Sequence, residues 1–143
     1  MLRRMDAAQA LADLTEISSQ VVHVAIVEGG GSVLATTIGD ANRADRFVQV
    51  ALTLLEEADA LRQVRGLPGL SQLEAATLDG SVFVVRRETP AGGTRIIAAT
   101  TRPDPTVGLV FYDLKSCLRG LAEEPEAKPK PRRRTTKKAD EAS

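Results

Sequence analysis

Tryptophan is absent from this 143-residue chain, and one Tyr and three Phe are its only other aromatic residues. The core must therefore be built from Val, Leu, Ile and Ala. A single cysteine, Cys117, excludes an internal disulfide and fits a reducing compartment. A single histidine, His23, excludes a metal site made of several histidines. No run approaches the ~20 apolar residues that span a bilayer as a helix. The opening Met1 to Asp6 leads into an amphipathic pattern and not into the continuous apolar stretch of a secretory signal. A soluble, cytoplasmic protein is expected.

Charge is present but unevenly placed. The net charge is zero, yet residues 128–138 hold Lys128, Lys130, Arg132, Arg133, Arg134, Lys137 and Lys138 with no acid among them. The first 127 residues carry 12 basic and 17 acidic side chains, a net of −5. Pro125, Pro129 and Pro131 interrupt the basic stretch, and no hydrophobic period runs through it. The chain divides into one folded domain over residues 5–122 and a disordered basic tail over residues 123–143. Polyanion contact, with nucleic acid or an anionic membrane surface, would be weak and salt-sensitive. The tail has no interleaved aromatics to stack bases, and a solvated extension is its plainer reading.

Within the domain the hydrophobic period switches between helix and strand. Asp6 caps a first helix, with Gln9 three residues on as its capping-box partner. Residues 21–27 are a nearly continuous β-branched run, the mark of a strand covered on both faces. Gly29, Gly30 and Gly31 turn that strand into residues 32–37 as a hairpin. Residues 43–65 form a long helix, capped by Asn42 and stopped by Gly66 and Pro68. Strands follow over residues 72–78, 81–87 and 94–101, the first two joined through Asp79-Gly80. A last helix presents Val110, Leu114, Cys117, Leu118 and Leu121 inward. The order is α-β-β-α-β-β-β-α, an α+β fold with one five-stranded antiparallel sheet and helices on both faces.

The long helix is greasy around too much of its circumference for one monomer. Phe47, Val50, Ala51, Leu54, Ala58 and Leu61 share one stripe, and Val48, Leu52 and Leu55 form a second, roughly 90–120° away. The strand after it is the least apolar of the five and reads as an edge. A two-fold pairing of both elements would hide them together. The expected homodimer interface is therefore Val48, Leu52 and Leu55 with Leu73, Ala75 and Thr77.

Chemistry-bearing constellations are scarce. His23 lies near the start of a buried strand and reads as structural. Cys117 sits among leucines, without the positive charge and access a thiolate needs. The three glycines link strand to strand, whereas a phosphate cradle leads from strand into helix. Glu56, Glu57, Asp59 and Arg62 are spaced for ion pairs on a helix surface. No nucleophile, base and orienting group converge, so no catalytic residue, metal or cofactor is expected, and the chain is read as a non-enzyme.

Three ordered segments carry a resemblance. Val24-Ala25-Ile26-Val27 with Gly30-Gly31-Ser32-Val33-Leu34-Ala35-Thr36 is similar to the first hairpin of the Roadblock family, the dynein-light-chain relatives with a profilin- or longin-like sandwich. Leu73-Glu74-Ala75-Ala76-Thr77 with Gly80-Ser81-Val82-Phe83-Val84-Val85 resembles its central hairpin. Val107-Gly108-Leu109-Val110 with Leu114 resembles the entry to its final helix. The resemblance implies dimers that pair the central helix and third strand of two copies. It also implies a docking platform for a small Ras-like GTPase, whose nucleotide cycle or localisation the platform modulates without an arginine finger. The alternative is an accessory protein acting through the basic tail on nucleic acid or membrane.

Overall fold

A computed structural model describes residues 5–63 and 70–121. The basic cluster at residues 128–138, and Arg65, Gly66 and Pro68 after the long helix, lie outside the described residues. The elements are α1 (Ala7–Ile17), β1 (Val21–Glu28), β2 (Val33–Thr36), α2 (Ala41–Gln63), β3 (Gln72–Thr77), β4 (Gly80–Glu88), β5 (Thr94–Thr101) and α3 (Val107–Arg119). The α+β order expected above is the one observed.

Asp6 caps α1 by accepting the Gln9 backbone N–H at 2.9 Å. The reciprocal half of the capping box is not made. Gln9 sends its amide forward to the Asp13 carboxylate, one turn on, at 3.2 Å.

All strand pairs are antiparallel, in the spatial order β2-β1-β5-β4-β3. This order puts β2 and β3 at opposite edges, so their connection must cross the whole sheet. Twenty-three helical residues span ~35 Å at ~1.5 Å each. Four strand spacings need only ~19 Å. The length of α2 is thus more than enough for the crossing.

The three apolar strands are central and have a core on each face, which explains their lack of alternation. Toward α1 and α3 point Val24, Ile26, Phe83, Val85, Ile97 and Ala99. Toward α2 point Ala25, Val27, Val84, Ile96 and Ala98. Phe83 meets Phe111 of α3 edge to face, with ring centroids 4.9 Å apart. On α3, Val110, Leu114, Cys117 and Leu118 are buried, as their spacing demands, and Leu121 follows them into the core.

Two turns need glycine for physical reasons. Gly31 has φ +98°, which closes the β1–β2 turn with its N–H on the Glu28 carbonyl. Gly80 has φ +139°, and a Cβ there would lie 2.0 Å from the Thr101 carbonyl oxygen. The two residues at the tip of the β3–β4 hairpin are Leu78 and Asp79, while Gly80 already pairs with Thr77 as the first residue of β4. The expected Asp79-Gly80 hairpin therefore sits one residue earlier, with glycine required by the close approach of β5. No described helix is long and apolar enough to cross a membrane.

Candidate functional site

The start of α2 differs from expectation by two residues. Asp40 is the cap, its Oδ1 accepting the Arg43 N–H at 3.1 Å and its carbonyl accepting the Ala44 N–H. Asn42 lies inside the first turn. Asp and Asn are equally good caps, so the sequence allowed either, and the chain takes the earlier one.

The rotation of α2 decides which apolar stripe is hidden. Ala44, Val48, Ala51 and Leu55 are buried against the sheet, with Leu52 half-buried beside them. Val48 is 2% exposed and Leu55 3%. These two expected interface residues are thus core residues of the protomer. The other stripe is split: Ala51 is buried and Phe47 packs against the same core, while Val50 is 55% exposed and Leu61 67%, with Leu54 and Ala58 half-buried between them. The spacing 50, 54, 58, 61 follows the 3–4 rhythm of a helix-packing seam.

Asp59 pins this rotation. It lies ~40° around the helix from Leu55, on the sheet-facing side. Its Oδ2 accepts Arg86 Nη1 of β4 at 2.8 Å, and its Oδ1 accepts the Leu70 backbone N–H at 3.0 Å. Arg86 also donates to the Leu70 carbonyl, and Arg62 bridges to Asp59 at 3.2 Å. The hydrogen bond from Arg86 holds the Asp59 carboxyl below its ordinary range, aided by the Leu70 amide and opposed by desolvation. One carboxylate thereby ties the C-terminal part of α2 to β4 and to the approach of β3. Helical spacing puts Asp59 among surface ion pairs; its link to Arg86, 27 residues away, lies beyond what that spacing reaches.

β3 pairs with β4 along one edge, and among the described residues no strand covers the other. Leu73 and Ala75 point to the α2 side and are half-buried. Thr77 is exposed, but its hydroxyl donates to the Gly80 carbonyl at 2.7 Å, so it serves the hairpin. Of the six residues expected at a dimer interface, Leu73, Ala75 and Thr77 stand on an open edge, Leu52 flanks the core, and Val48 and Leu55 lie within it.

Groups able to carry chemistry are differently placed. Burial, reinforced by Asp13, pushes the Cys117 thiol up to about 12, and its Sγ lies 3.6 Å from the Ala10 carbonyl oxygen. His23 is half-buried on β1, where its backbone N–H meets the Thr100 hydroxyl. Among the described residues no three His, Cys, Asp or Glu side chains gather as a metal-ligating set. The feature that stands out is a surface: an open strand edge and a helix with a second apolar seam.

No protein-family model and no curated protein matches the sequence. Solved structures do match. A Roadblock/LC7 domain from Streptomyces avermitilis superposes with a TM-score of 0.66 at 15% identity, over 80% of this chain and 93% of that one. A second Roadblock/LC7 structure from the same organism shares 22% identity, with a TM-score of 0.54 over 78% of this chain and 93% of its own. The gliding protein MglB from Thermus thermophilus gives 0.62 at 12% identity, over 85% of this chain and 92% of its own. The sheet order, the sheet-crossing helix and these superpositions lead to one conclusion: this chain has the Roadblock/LC7 fold.

Proposed function

We propose that the chain is a non-catalytic Roadblock-type regulator or scaffold that works as a homodimer and engages a small Ras-like GTPase. The observation that carries this reading is the outward seam of α2 beside an unpaired β3. A protomer alone leaves Val50 and Leu61 in water together with an open strand edge, and both are hidden when like elements meet around a two-fold axis. The interface residues are then Val50, Leu54 and Leu61 of α2 with Leu73, Ala75 and Thr77 of β3. Val48 and Leu55 act indirectly, by seating the helix. The GTPase follows from the sequence resemblance, and the likeness in fold to MglB supports it.

The doubly substituted Val50→Asp, Leu61→Asp chain tests the dimer. Light scattering should report a dimer for the unsubstituted chain and a folded monomer for the variant. A monomer for both would overturn the proposal. Pull-down with GTPase loaded with GTP or GDP tests the partner; retention that depends on nucleotide and is lost in the monomeric variant is the expected result.

A further inference from the structure

On the face of the sheet opposite α2, α1 and α3 lie side by side and run in opposite directions: Met5 meets Gly120, and Ala10 meets Cys117. A groove of about 190 Å³ opens between them. Its floor is core, because Ala10, Leu14 and Cys117 are buried. What it presents to water is half-buried Met5, Ile17, which is 70% exposed, and two half-buried carboxylates, Asp13 of α1 and Asp113 of α3. No Lys or Arg lines it among the described residues. Arg119 stands at its edge and donates to the Ser116 hydroxyl with Nη2.

The two carboxylates share the groove without a described counter-ion. Asp13 accepts the Gln9 amide, a neutral partner, and its charge is felt by the Cys117 thiol. Burial pushes the Asp113 carboxyl above its ordinary range, opposed by the Ser18 hydroxyl. No ion pair joins either carboxylate to a described cation. Like charges partly removed from water are unfavourable together, and a cation beside them reverses the sign.

The chain leaves the described domain at one end of this groove. Met5 bridges to Leu121, its N–H on the Gly120 carbonyl at 2.9 Å, and both Met5 and Gly120 line the groove. Asp13 lies about two helical turns along α1 from that end, ~11 Å. Six residues, 122–127, separate Leu121 from Lys128, and such a stretch reaches ~20 Å when extended. Glu123, Glu124 and Glu126 all fall within it, so the cations begin only where the groove carboxylates stand. There the sequence alternates cation and proline: Lys128, Pro129, Lys130, Pro131. Proline favours an extended left-handed helix, which sets the two Lys ~6 Å apart along the chain. Leu109, one turn before Asp113 on the same side of α3, and Tyr112 beside it are exposed apolar surface of the kind prolines pack on.

From the exit point and the opposite charges we infer that residues 128–131 dock in the α1–α3 groove of their own chain, with Lys128 and Lys130 paired to Asp13 and Asp113. Each contact is weak alone, but so short a tether gives an effective concentration on the order of millimolar. Held there, the first two cations of the basic stretch are withheld from polyanions.

The test is amide NMR of the full chain carrying a nitroxide at Thr135→Cys, with buried Cys117 left in place. Amides of Asp13, Ile17, Asp113 and Ser116 are expected to lose at least half their intensity, while those of Glu56 and Glu57 on α2 keep theirs. Lys128→Glu with Lys130→Glu, which changes nothing in the described domain, should restore that intensity. Asp13→Asn with Asp113→Asn should do the same, as should raising NaCl from ~0.05 to ~0.5 M. Glu56→Gln with Glu57→Gln should restore nothing. Attenuation spread evenly over the domain, or surviving the Lys128→Glu, Lys130→Glu pair, would overturn the docking. Mixing isotope-labelled chain without nitroxide and nitroxide-bearing chain without isotope separates one copy from two. Attenuation in that mixture would give the groove to another copy's tail and overturn the assignment to its own. Neither the groove nor the label touches α2 or β3, so failure here leaves the dimer proposal standing, and the reverse also holds.

Discussion

Arg86 on β4 holds Asp59 on α2 at 2.8 Å, with both side chains about four-fifths removed from solvent. The pair sets the rotation of the one helix whose outward face carries the proposed function. Losing either partner takes the closest opposite charge from a partly desolvated group, with Asp59 keeping Arg62 and the Leu70 N–H and Arg86 keeping the Leu70 carbonyl, which is costlier than losing a surface ion pair. Asp59→Asn is expected to destabilise the chain by about 1–2 kcal/mol, with Arg86→Met at least as costly. Urea unfolding measures both. A change below about 0.3 kcal/mol in each would remove the pair from its anchoring role.

The same pair has a pH signature. Folding lowers the Asp59 pKa, so the folded chain keeps the carboxylate charged where the unfolded chain has begun to protonate. The stabilisation is fully present above the unfolded value, ~3.9, and fades as pH falls through it toward the folded value. Wild type should therefore lose stability below about pH 5 more steeply than Asp59→Asn. Parallel curves of unfolding free energy against pH would contradict this.

The two stripes of α2 should respond oppositely to substitution. Leu55→Ala removes a core side chain and is expected to cost about 2–5 kcal/mol, seen as a lower urea midpoint. Val50→Asp is expected to change protomer stability by less than about 0.5 kcal/mol when unfolding starts from monomer. Its effect should appear as weaker self-association in light scattering. If Val50→Asp instead unfolds the monomer, the face assignment of the helix is wrong.

Gly80 tolerates no side chain. A Cβ would meet the Thr101 carbonyl oxygen at 2.0 Å, and φ +139° is strained for any L-residue. Gly80→Ala should cost about 2–4 kcal/mol, against about 1 kcal/mol for Gly31→Ala, whose Cβ meets only a Leu52 methyl at 3.7 Å. Thermal unfolding of the two variants side by side gives the comparison; equal losses would contradict it.

Cys117 should resist thiol reagents in the folded chain. With its thiol pushed up to about 12 and its side chain buried, reaction at pH 8 requires opening of the α1–α3 layer. Labelling by iodoacetamide should accelerate at least a hundredfold in denaturant. At high pH the unfolded thiol ionises while the folded one does not, so stability declines as pH rises from about 9 toward 12. Rapid labelling without denaturant would place the thiol at the surface.

Local chemistry along the chain was enough to read the element order. The β-branched runs of β1 and β4, the glycine turn after Glu28 and the inward spacing of Val110, Leu114 and Leu118 each depend on neighbours a few residues apart. The surplus apolar character of α2 was equally visible, because it needs only the helical period. Equivalent local signals produced the ambiguities: Asp40 and Asn42 are equal caps, and Asp79-Gly80 reads as the tip of a turn that lies one residue earlier.

Which stripe of α2 faces inward depended on partners distant in sequence. Val48 and Leu55 are as apolar as Val50 and Leu61, and nothing within the helix ranks them. Arg86, 27 residues beyond Asp59, breaks the tie by drawing one side of the helix down onto β4. Composition and periodicity are short-range properties and identify the parts; charge pairing and packing act through space and determine how those parts face.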